Sequence, residues 1–227
     1  MKKLILAIVA ATSVAVFQAS AITVTVDQVA GYNAADGEFN VSPITGVGYG
    51  AADLYNNNAG ALGFGTFCIN RSVSIVTPGK YDATIIPSGI DPNNGNQISL
   101  GTAWLFQQFA QGVLANYNYT PGAGRVNSAY MLQNAIWVLE GQIGNNFNDV
   151  FLNMVVAQFG SLAAAGADNN QAYSVGVLGL HTLDINGRPT QTAAQPMLTL
   201  LPDGGSALLL LGLGLSGLAL FSRKVHA

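Results

Sequence analysis

The pattern of apolar and polar residues divides the middle of the chain into strand-like, helix-like and again strand-like parts. In Ile22–Val29 apolar and polar side chains alternate, which is typical of a half-buried strand. Leu62–Val76 has the same character, and a turn at Thr77–Lys80 separates it from a short strand in Tyr81–Pro87. The Gly- and Asn-rich stretch 31–65 predicts loops with short strands.

The period changes near residue 99, where Ser99 is suited to cap a helix. The apolar residues that follow recur at helical spacing: Ala103, Phe106, Phe109, Ala110, Val113 and Tyr117. A second helix is predicted from about Ser128 to Glu140, with Gly141 as its stop, and a third over Asp149–Phe159. The stretch 161–170 is interpreted as a linker.

Strand patterning returns in Ala172–Ile185 and Ala193–Leu201, which flank the turn dipeptide Asn186-Gly187. The order is therefore strands, helices, strands. This order predicts an α+β domain over residues 22–201, with an antiparallel β sandwich or barrel built from both ends of that segment. The helices form an insertion at about residues 98–160.

The charge balance changes the range of possible partners. Only 8% of the residues are charged, against the roughly 25% that is usual in soluble domains. Residues 22–201 contain four basic and ten acidic residues, a net charge of −6 with His neutral, and no basic cluster. Nucleic-acid binding requires concentrated Lys and Arg and is not expected. Cys68 is the single cysteine, so no internal disulfide can form.

The first 21 residues have the order of parts of a secretory signal peptide. Lys2 and Lys3 precede an apolar run, and the small residues Ala19-Ser20-Ala21 follow it. A buried N-terminal helix is the alternative, but the order matches a signal peptide. We therefore expect export, with cleavage between Ala21 and Ile22.

The segment 202–227 combines a turn, an uncharged run and a basic end. The turn is Pro202-Asp203-Gly204-Gly205, the uncharged run is Ala207–Phe221, and Arg223 and Lys224 follow. With its small flanking residues, the run reaches the lower limit of about 17 residues for a membrane-spanning helix. Basic residues favour the cytoplasmic side, which places residues 22–201 outside. Three interpretations remain: a buried core helix, a permanent anchor, or a sorting signal that is removed.

This tail resembles the PEP-CTERM class of bacterial sorting tails, and it is closest to the variant named for Val-Pro-Asp-Ser-Gly. The chain has Leu201 where that variant has Val and Gly204 where it has Ser. The resemblance implies a transmembrane helix that anchors the protein transiently and processing by an exosortase. It also implies delivery to the cell surface or the extracellular polymer matrix.

Few residues offer conventional catalytic or metal chemistry. Residues 22–201 hold one His and one Cys, so a zinc site with four ligands is excluded. The loop Asp91–Asn96 lacks the acidic residue that closes a calcium loop. His181 and Asp184 are three apart in a predicted strand and therefore on opposite faces, and no Gly-x-Ser-x-Gly motif is present. We expect no catalytic residues, metal or cofactor, and a secreted hydrolase is a remote alternative.

Cys68, in Phe67-Cys68-Ile69-Asn70, and Gln133, in Leu132-Gln133-Asn134-Ala135-Ile136-Trp137, resemble the thioester domains of bacterial surface adhesins. The family has Thr where this chain has Leu132. The resemblance implies that the sulfur attacks the carboxamide, releases ammonia and forms a thioester that an amine-bearing target can open. Glu140, on the helical face of Gln133, would then assist proton transfer, or be a solvated acid at the helix end.

The ordinary alternative is that Cys68 is a small buried hydrophobe and that Gln133 flanks an apolar stripe. Two functions follow. The first is a non-enzymatic surface or matrix protein with a structural or adhesive role, and the second is a covalent thioester adhesin. The expected partners are an exosortase-type enzyme, the membrane through the C-terminal helix, and a surface polymer or an amine-bearing target.

Overall fold

The computed structural model describes residues 22–28, 37–43, 63–145 and 148–201. Within these residues it contains a six-stranded sheet and four helices. The strands are β1 (Ile22–Gln28), β2 (Phe39–Pro43), β3 (Phe64–Thr66), β4 (Gly79–Ile86), β5 (Val175–Leu183) and β6 (Pro189–Leu200). The helices are α1 (Leu100–Ala110), α2 (Ala123–Leu139), α3 (Val150–Phe159) and α4 (Leu162–Ala165).

The sheet is antiparallel throughout, in the order β3-β2-β1-β4-β5-β6. Its two edges approach each other, because the residues after β3 bridge to β6. Cys68 pairs with Met197, the Leu198 N–H donates to the Phe67 carbonyl at 3.1 Å, and the Ile69 N–H donates to the Pro196 carbonyl at 3.2 Å. The sheet therefore curls into a half-barrel, and the predicted α+β class and the barrel-like framework from both ends of the segment are confirmed.

Two apolar clusters lie on opposite sides of this curled sheet. The barrel cluster fills its inside, where Val24 and Val26 are buried and the intervening Thr25 is not. This alternation follows from the two-residue period of a strand. The helix cluster joins α1, α2 and α3 to the outside of the sheet, where α1 contacts β3, β5 and β6. The helices occupy the predicted position between β4 and β5.

Side-chain caps define where two helices begin. The Ser99 hydroxyl accepts a hydrogen bond from the Thr102 N–H at 3.1 Å, and the Asp149 carboxylate accepts one from the Phe151 N–H at 2.8 Å. Both caps satisfy backbone donors that have no partner inside the helix. Gly141 follows α2 with a positive φ of 67°, which fits its predicted role as a stop.

Several predicted boundaries need correction. The second helix begins at Ala123, five residues before Ser128, and α1 ends at Ala110 although its apolar pattern continues to Tyr117. The segment 161–170, predicted as a linker, contains α4, which the Ser161 hydroxyl caps. Of the predicted strand Leu62–Val76, the described residues 63–76 pair as strand only at Phe64–Thr66 and at the Cys68 bridge, and the residues after Cys68 form bends and turns.

A buried ion pair in the first turn of α2 explains why this helix begins before the predicted Ser128. Arg125 is buried and forms a two-pronged ion pair with buried Glu38, with nitrogen–oxygen distances of 2.6 Å and 2.9 Å. The Tyr117 hydroxyl also donates to Glu38 at 2.8 Å. A buried ion pair is tolerated when further hydrogen bonds satisfy it. This network connects the start of β2 to the helical insertion.

Both predicted terminal segments, the signal helix in residues 1–21 and the transmembrane helix in residues 202–227, lie outside the described residues. Within the residues that are described, none of the helices has the length and apolar character needed to cross a membrane.

Candidate functional site

The structure brings Cys68 and Gln133 together. The Gln133 side-chain oxygen accepts a hydrogen bond from the Cys68 N–H at 3.0 Å, and its amide nitrogen donates to the Cys68 carbonyl at 2.8 Å. The bridge to Met197 uses the main-chain groups of Phe67 and Ile69, so those of Cys68 point away from β6. The Gln133 amide therefore pairs with them in the manner of a neighbouring strand.

The Cys68 side chain lies on the other face of the sheet from the helices. It belongs to the barrel cluster, whereas its neighbours Phe67 and Ile69 belong to the helix cluster. Burial raises the pKa of the Cys68 thiol well above its usual value, because a thiolate would lose its hydration there. The sulfur is therefore a protonated thiol, which is a weak nucleophile.

Gln133 and Cys68 thus form a satisfied, non-covalent contact. A thioester would require the sulfur to reach the Gln133 carboxamide carbon, and both hydrogen bonds from that carboxamide would have to break. One helical turn further on, Trp137 is 3% exposed, and the Arg71 guanidinium lies 5.5 Å from its ring centre.

Glu140 is the C-cap residue of α2, and its side chain contacts the residue before α1. Its Oε1 accepts a hydrogen bond from the Ser99 N–H at 3.0 Å, and the carboxyl group is largely enclosed by protein. Burial raises the pKa of Glu140, and the hydrogen bonds from Ser99 and Thr102 oppose that rise in part. The Glu140 carboxyl group accepts the Ser99 N–H beside the N-terminus of α1, whereas the Gln133 amide forms hydrogen bonds with Cys68. The two side chains therefore have separate partners. The description of Glu140 as a solvated helix-end acid is therefore wrong.

A pocket of about 480 Å³ opens beside Glu140. The pocket is lined by residues of the loop before α1 and by residues at the ends of α2 and α4. These residues are Ile90, Gly95, Asn96, Gln97, Ser99, Leu139, Glu140, Gly166 and Asp168. Asp91 follows the bridge between Ile90 and Gln97, and its carboxylate accepts hydrogen bonds from the Asn70 side-chain amide and from the Asn93 N–H, at 2.8 Å each. In the part of the chain that the structure describes, no group of three or more His, Cys, Asp or Glu residues could hold a metal ion.

His181 and Asp184 lie in and just after β5. His181 is opposite Asp82 of β4, and Asp184 begins the β5–β6 turn. The Asp184 carboxylate accepts hydrogen bonds from the N–H groups of Asn186 and Arg188, both at 2.8 Å. Its role in the structure is to form the hairpin turn that Asn186-Gly187 predicts.

The point where the described chain ends is the feature that sequence reasoning missed. The Leu201 N–H donates to the Ser174 carbonyl at 2.9 Å, and a Cβ placed on Gly176 would approach the Leu201 side chain to 2.7 Å. The folded domain therefore extends to the residue immediately before Pro202. The alternating pattern in Ala193–Leu201 indicated the strand but not the contact with Ser174.

Comparison with known proteins finds a family match in the C-terminal segment. A family model described as the VPDSG-CTERM motif matches residues 202–225, a range that includes the turn residues Pro202, Asp203, Gly204 and Gly205 and the basic residues Arg223 and Lys224. Neither a curated protein nor a solved structure matches the chain. The resemblance of Cys68 and Gln133 to thioester adhesin domains is therefore not supported by these comparisons.

The match supports a PEP-CTERM-like sorting tail on this chain. A tail of this class is recognised by an exosortase-type enzyme, and it indicates an exported protein associated with the cell surface.

Proposed function

We propose that this chain is a non-enzymatic protein of the cell surface or the extracellular matrix, and that its folded domain is released from a transient membrane anchor by an exosortase. The observation that carries this proposal is the position of the sorting motif. It begins at Pro202, directly after the last described contact of the domain at Leu201.

This position makes removal of the tail compatible with the fold. Strand β6 ends at Leu200, and Leu201 is held by Ser174. A cut at any peptide bond after Leu201 leaves each of these contacts in place. The domain released by processing would therefore keep the sheet and both apolar clusters.

The test follows the two ends of the protein separately in a host that has the sorting enzyme. An antibody detects the folded domain, and a tag after Ala227 detects the tail. We expect the surface form to carry the domain without the tag. Asp203→Ala should leave the tag on a membrane-held form, because it removes the acidic residue of the turn. Asp168→Ala, an exposed acid outside the motif, should be processed normally. A wild-type surface form that keeps its tag would show a permanent anchor.

A structural or adhesive role for the released domain would use its exposed side chains. Ile185 is 98% exposed at the tip of the β5–β6 hairpin, where it is accessible to another molecule. We infer that it takes part in contacts with a surface polymer. Co-sedimentation of the purified protein with isolated matrix polymer should weaken in Ile185→Asn and persist in Val76→Asn, which changes an apolar residue that is 73% exposed elsewhere. Equal binding by all three proteins would exclude this role for Ile185.

The covalent adhesin is the second candidate: Gln133 lies against the main chain of Cys68, although the Cys68 side chain packs in the barrel cluster. In the reaction, the Cys68 sulfur bonds to the Gln133 carboxamide carbon, the carbon–nitrogen bond breaks, and the thiol proton leaves with the nitrogen as ammonia. An amine on a target would then form an amide with Gln133 and restore the thiol.

Intact mass of the purified protein tests this reaction. A thioester would lower the mass by one ammonia, Cys68→Ala would keep the full mass of its sequence, and methylamine would add to the wild-type protein. A full mass, together with a thiol that reacts once the protein is unfolded, would reject the thioester and leave non-covalent contacts as the basis of any adhesion.

A further inference from the structure

We propose that the half-buried aromatic surface beside Leu201 docks onto the lipid bilayer that holds the tail. This aromatic patch consists of Trp104 of α1, Phe159 at the end of α3, and Tyr173 before β5. The docking presupposes the membrane-held state of the proposed function and adds to it a lipid-facing side of the domain.

The patch is continuous with the point where the chain leaves the domain. Leu201 is hydrogen-bonded to Ser174, the residue after Tyr173. The rings of Tyr173 and Phe159 are 6.4 Å apart between centres, and those of Phe159 and Trp104 are 6.0 Å apart. The three rings therefore form a contiguous set that begins one residue from the partner of Leu201.

The length of the connection limits how far this side can move from the membrane. Five residues, Pro202–Ser206, separate Leu201 from the uncharged run that begins at Ala207. The six Cα–Cα steps from Leu201 to Ala207 span at most about 22 Å when fully extended. When the run is in the bilayer, Leu201 therefore stays within about 22 Å of the hydrocarbon layer, a distance that includes a headgroup region of roughly 5–8 Å. The connection holds the side of the domain that carries Leu201 close to the lipid, and contact then depends on the chemistry of that side.

The chemistry of this surface suits the headgroup region. Trp and Tyr rings are favoured at membrane–water interfaces, because one part of each ring system is apolar and another forms hydrogen bonds. No charged residue occurs between Val150 and Ala167, the stretch that forms α3 and α4. Its exposed positions are Asn153, Val156, Ala157, Gln158, Gly160, Ser161, Ala163, Ala164, Gly166 and Ala167. Lipid contact at these positions carries no cost of dehydrating a charge.

The charged residues of the sheet lie towards its other end. Val175 begins β5 beside Leu200, and the strand runs away from the chain exit to Leu183. Lys80 and Asp82 of β4 and Asp184 and Arg188 of the hairpin are therefore some 20–30 Å along the strands from the exit, at about 3.4 Å per residue. Apart from the exposed Asp168, the residues from Val150 to Ser174 are uncharged, and the charged residues of the sheet lie at its other end, which favours one orientation.

The chain contains its own reporters for this orientation, because Trp104 and Trp137 are its two tryptophans. The full-length protein is reconstituted in phosphatidylcholine vesicles with and without brominated acyl chains, which quench tryptophan on contact. Trp137→Phe leaves Trp104 as the reporter, and Trp104→Phe leaves Trp137, which is 3% exposed. We expect the brominated lipid to quench Trp104 at least about twofold and to leave Trp137 nearly unchanged, since quenching requires contact with the bilayer.

A matched pair of substitutions tests the surface itself in the Trp137→Phe protein. Val156→Glu places a charge on the exposed side of α3, which is 38% exposed there, and should abolish most of the quenching because the charge resists dehydration. Val76→Glu places the same charge before β4, near the far end of the sheet, and should leave the quenching intact.

Vesicle sedimentation separates the possible failures. If the chain sediments with vesicles and Trp104 is not quenched, the docking is wrong and the membrane-held state stands. If Trp104 is unquenched by lipid and also shielded from acrylamide in water, another protein copy covers the patch, and the docking is again wrong. If the chain does not sediment, both the docking and the membrane-held state fail.

Discussion

At the scale of single residues, two buried polar side chains carry structural roles that resemble functional ones. Gln133 pairs with the main chain of Cys68, and Glu140 accepts from the Ser99 N–H at the start of α1. Both side chains satisfy backbone groups that have no other partner there, and an unpaired buried group of this kind is costly. Each role gives a measurable effect on stability.

Gln133→Ala should lower the free energy of unfolding by about 2–4 kcal/mol, because it leaves the N–H and the carbonyl of Cys68 buried without partners. Urea unfolding followed by fluorescence measures the change. Gln158→Ala removes the same side chain from an exposed position of α3 and should change the value by less than about 0.5 kcal/mol. Similar midpoints for the two variants would contradict the role of Gln133.

Glu140→Gln should remove a pH dependence of stability. Burial raises the pKa of Glu140 above its usual value of 4.5. The folded state therefore binds this proton more tightly than the unfolded state, so the contribution is fully present below pH 4.5 and is lost as the pH rises through the raised pKa. The melting temperature of Glu140→Gln relative to the wild type should accordingly increase between pH 4.5 and pH 8. A constant difference across this range would show that Glu140 is not the titrating group.

At the scale of elements, the helical insertion is attached to the sheet by apolar packing and by one buried ion pair. Arg125 comes from the first turn of α2 and Glu38 from the residue before β2. The pair fixes where α2 starts, which the apolar pattern alone does not indicate.

Arg125→Met should destabilise the protein by about 3–5 kcal/mol, because it leaves the Glu38 carboxylate buried without its counter-charge. The double variant Glu38→Met with Arg125→Met should be less destabilised than the single one, since no buried charge remains. Thermodynamic cycles from denaturant unfolding measure the coupling. Additive effects of the two substitutions would show that the ion pair has no part in joining α2 to the sheet.

The side-chain cap of α1 makes a smaller contribution to the free energy of unfolding than the ion pair does. Ser99→Ala should cost about 1 kcal/mol, because the Thr102 N–H loses its acceptor while the backbone bond to Glu140 is kept. Ser161→Ala removes the corresponding cap of the four-residue α4 and should cost less, since fewer residues depend on it. The two thermal midpoints compare the caps directly, and a larger effect of Ser161→Ala would reverse this ranking.

At the scale of the whole molecule, contacts of the folded domain include the residues next to both proposed processing sites. Ile22 is the first residue of β1 and is buried, and Leu201 is bonded to Ser174 immediately before the sorting motif. We expect N-terminal sequencing of the exported protein to begin at Ile22, because the small residues Ala19-Ser20-Ala21 fit a signal peptidase. A mature protein that retains Lys2 and Lys3 would contradict this cleavage.

The sequence by itself determined the kinds of elements and their order. The two-residue period in Ile22–Gln28 and the helical period after Ser99 are local properties, and each reports which face of an element is buried. The sorting motif is also local, since the family match lies within residues 202–225. These features need no knowledge of distant contacts.

Only the tertiary structure decided which distant groups meet. The bridge between Cys68 and Met197, the pairing of Gln133 with the Cys68 main chain, and the contact of Glu38 with Arg125 each join residues far apart in sequence. A resemblance brought Cys68 and Gln133 to attention, but the face on which the sulfur lies depends on how the sheet curls. The uncharged helical surface beside Leu201 likewise exists only once α3, Tyr173 and the end of β6 are packed together, because periodicity describes one element and not its neighbours.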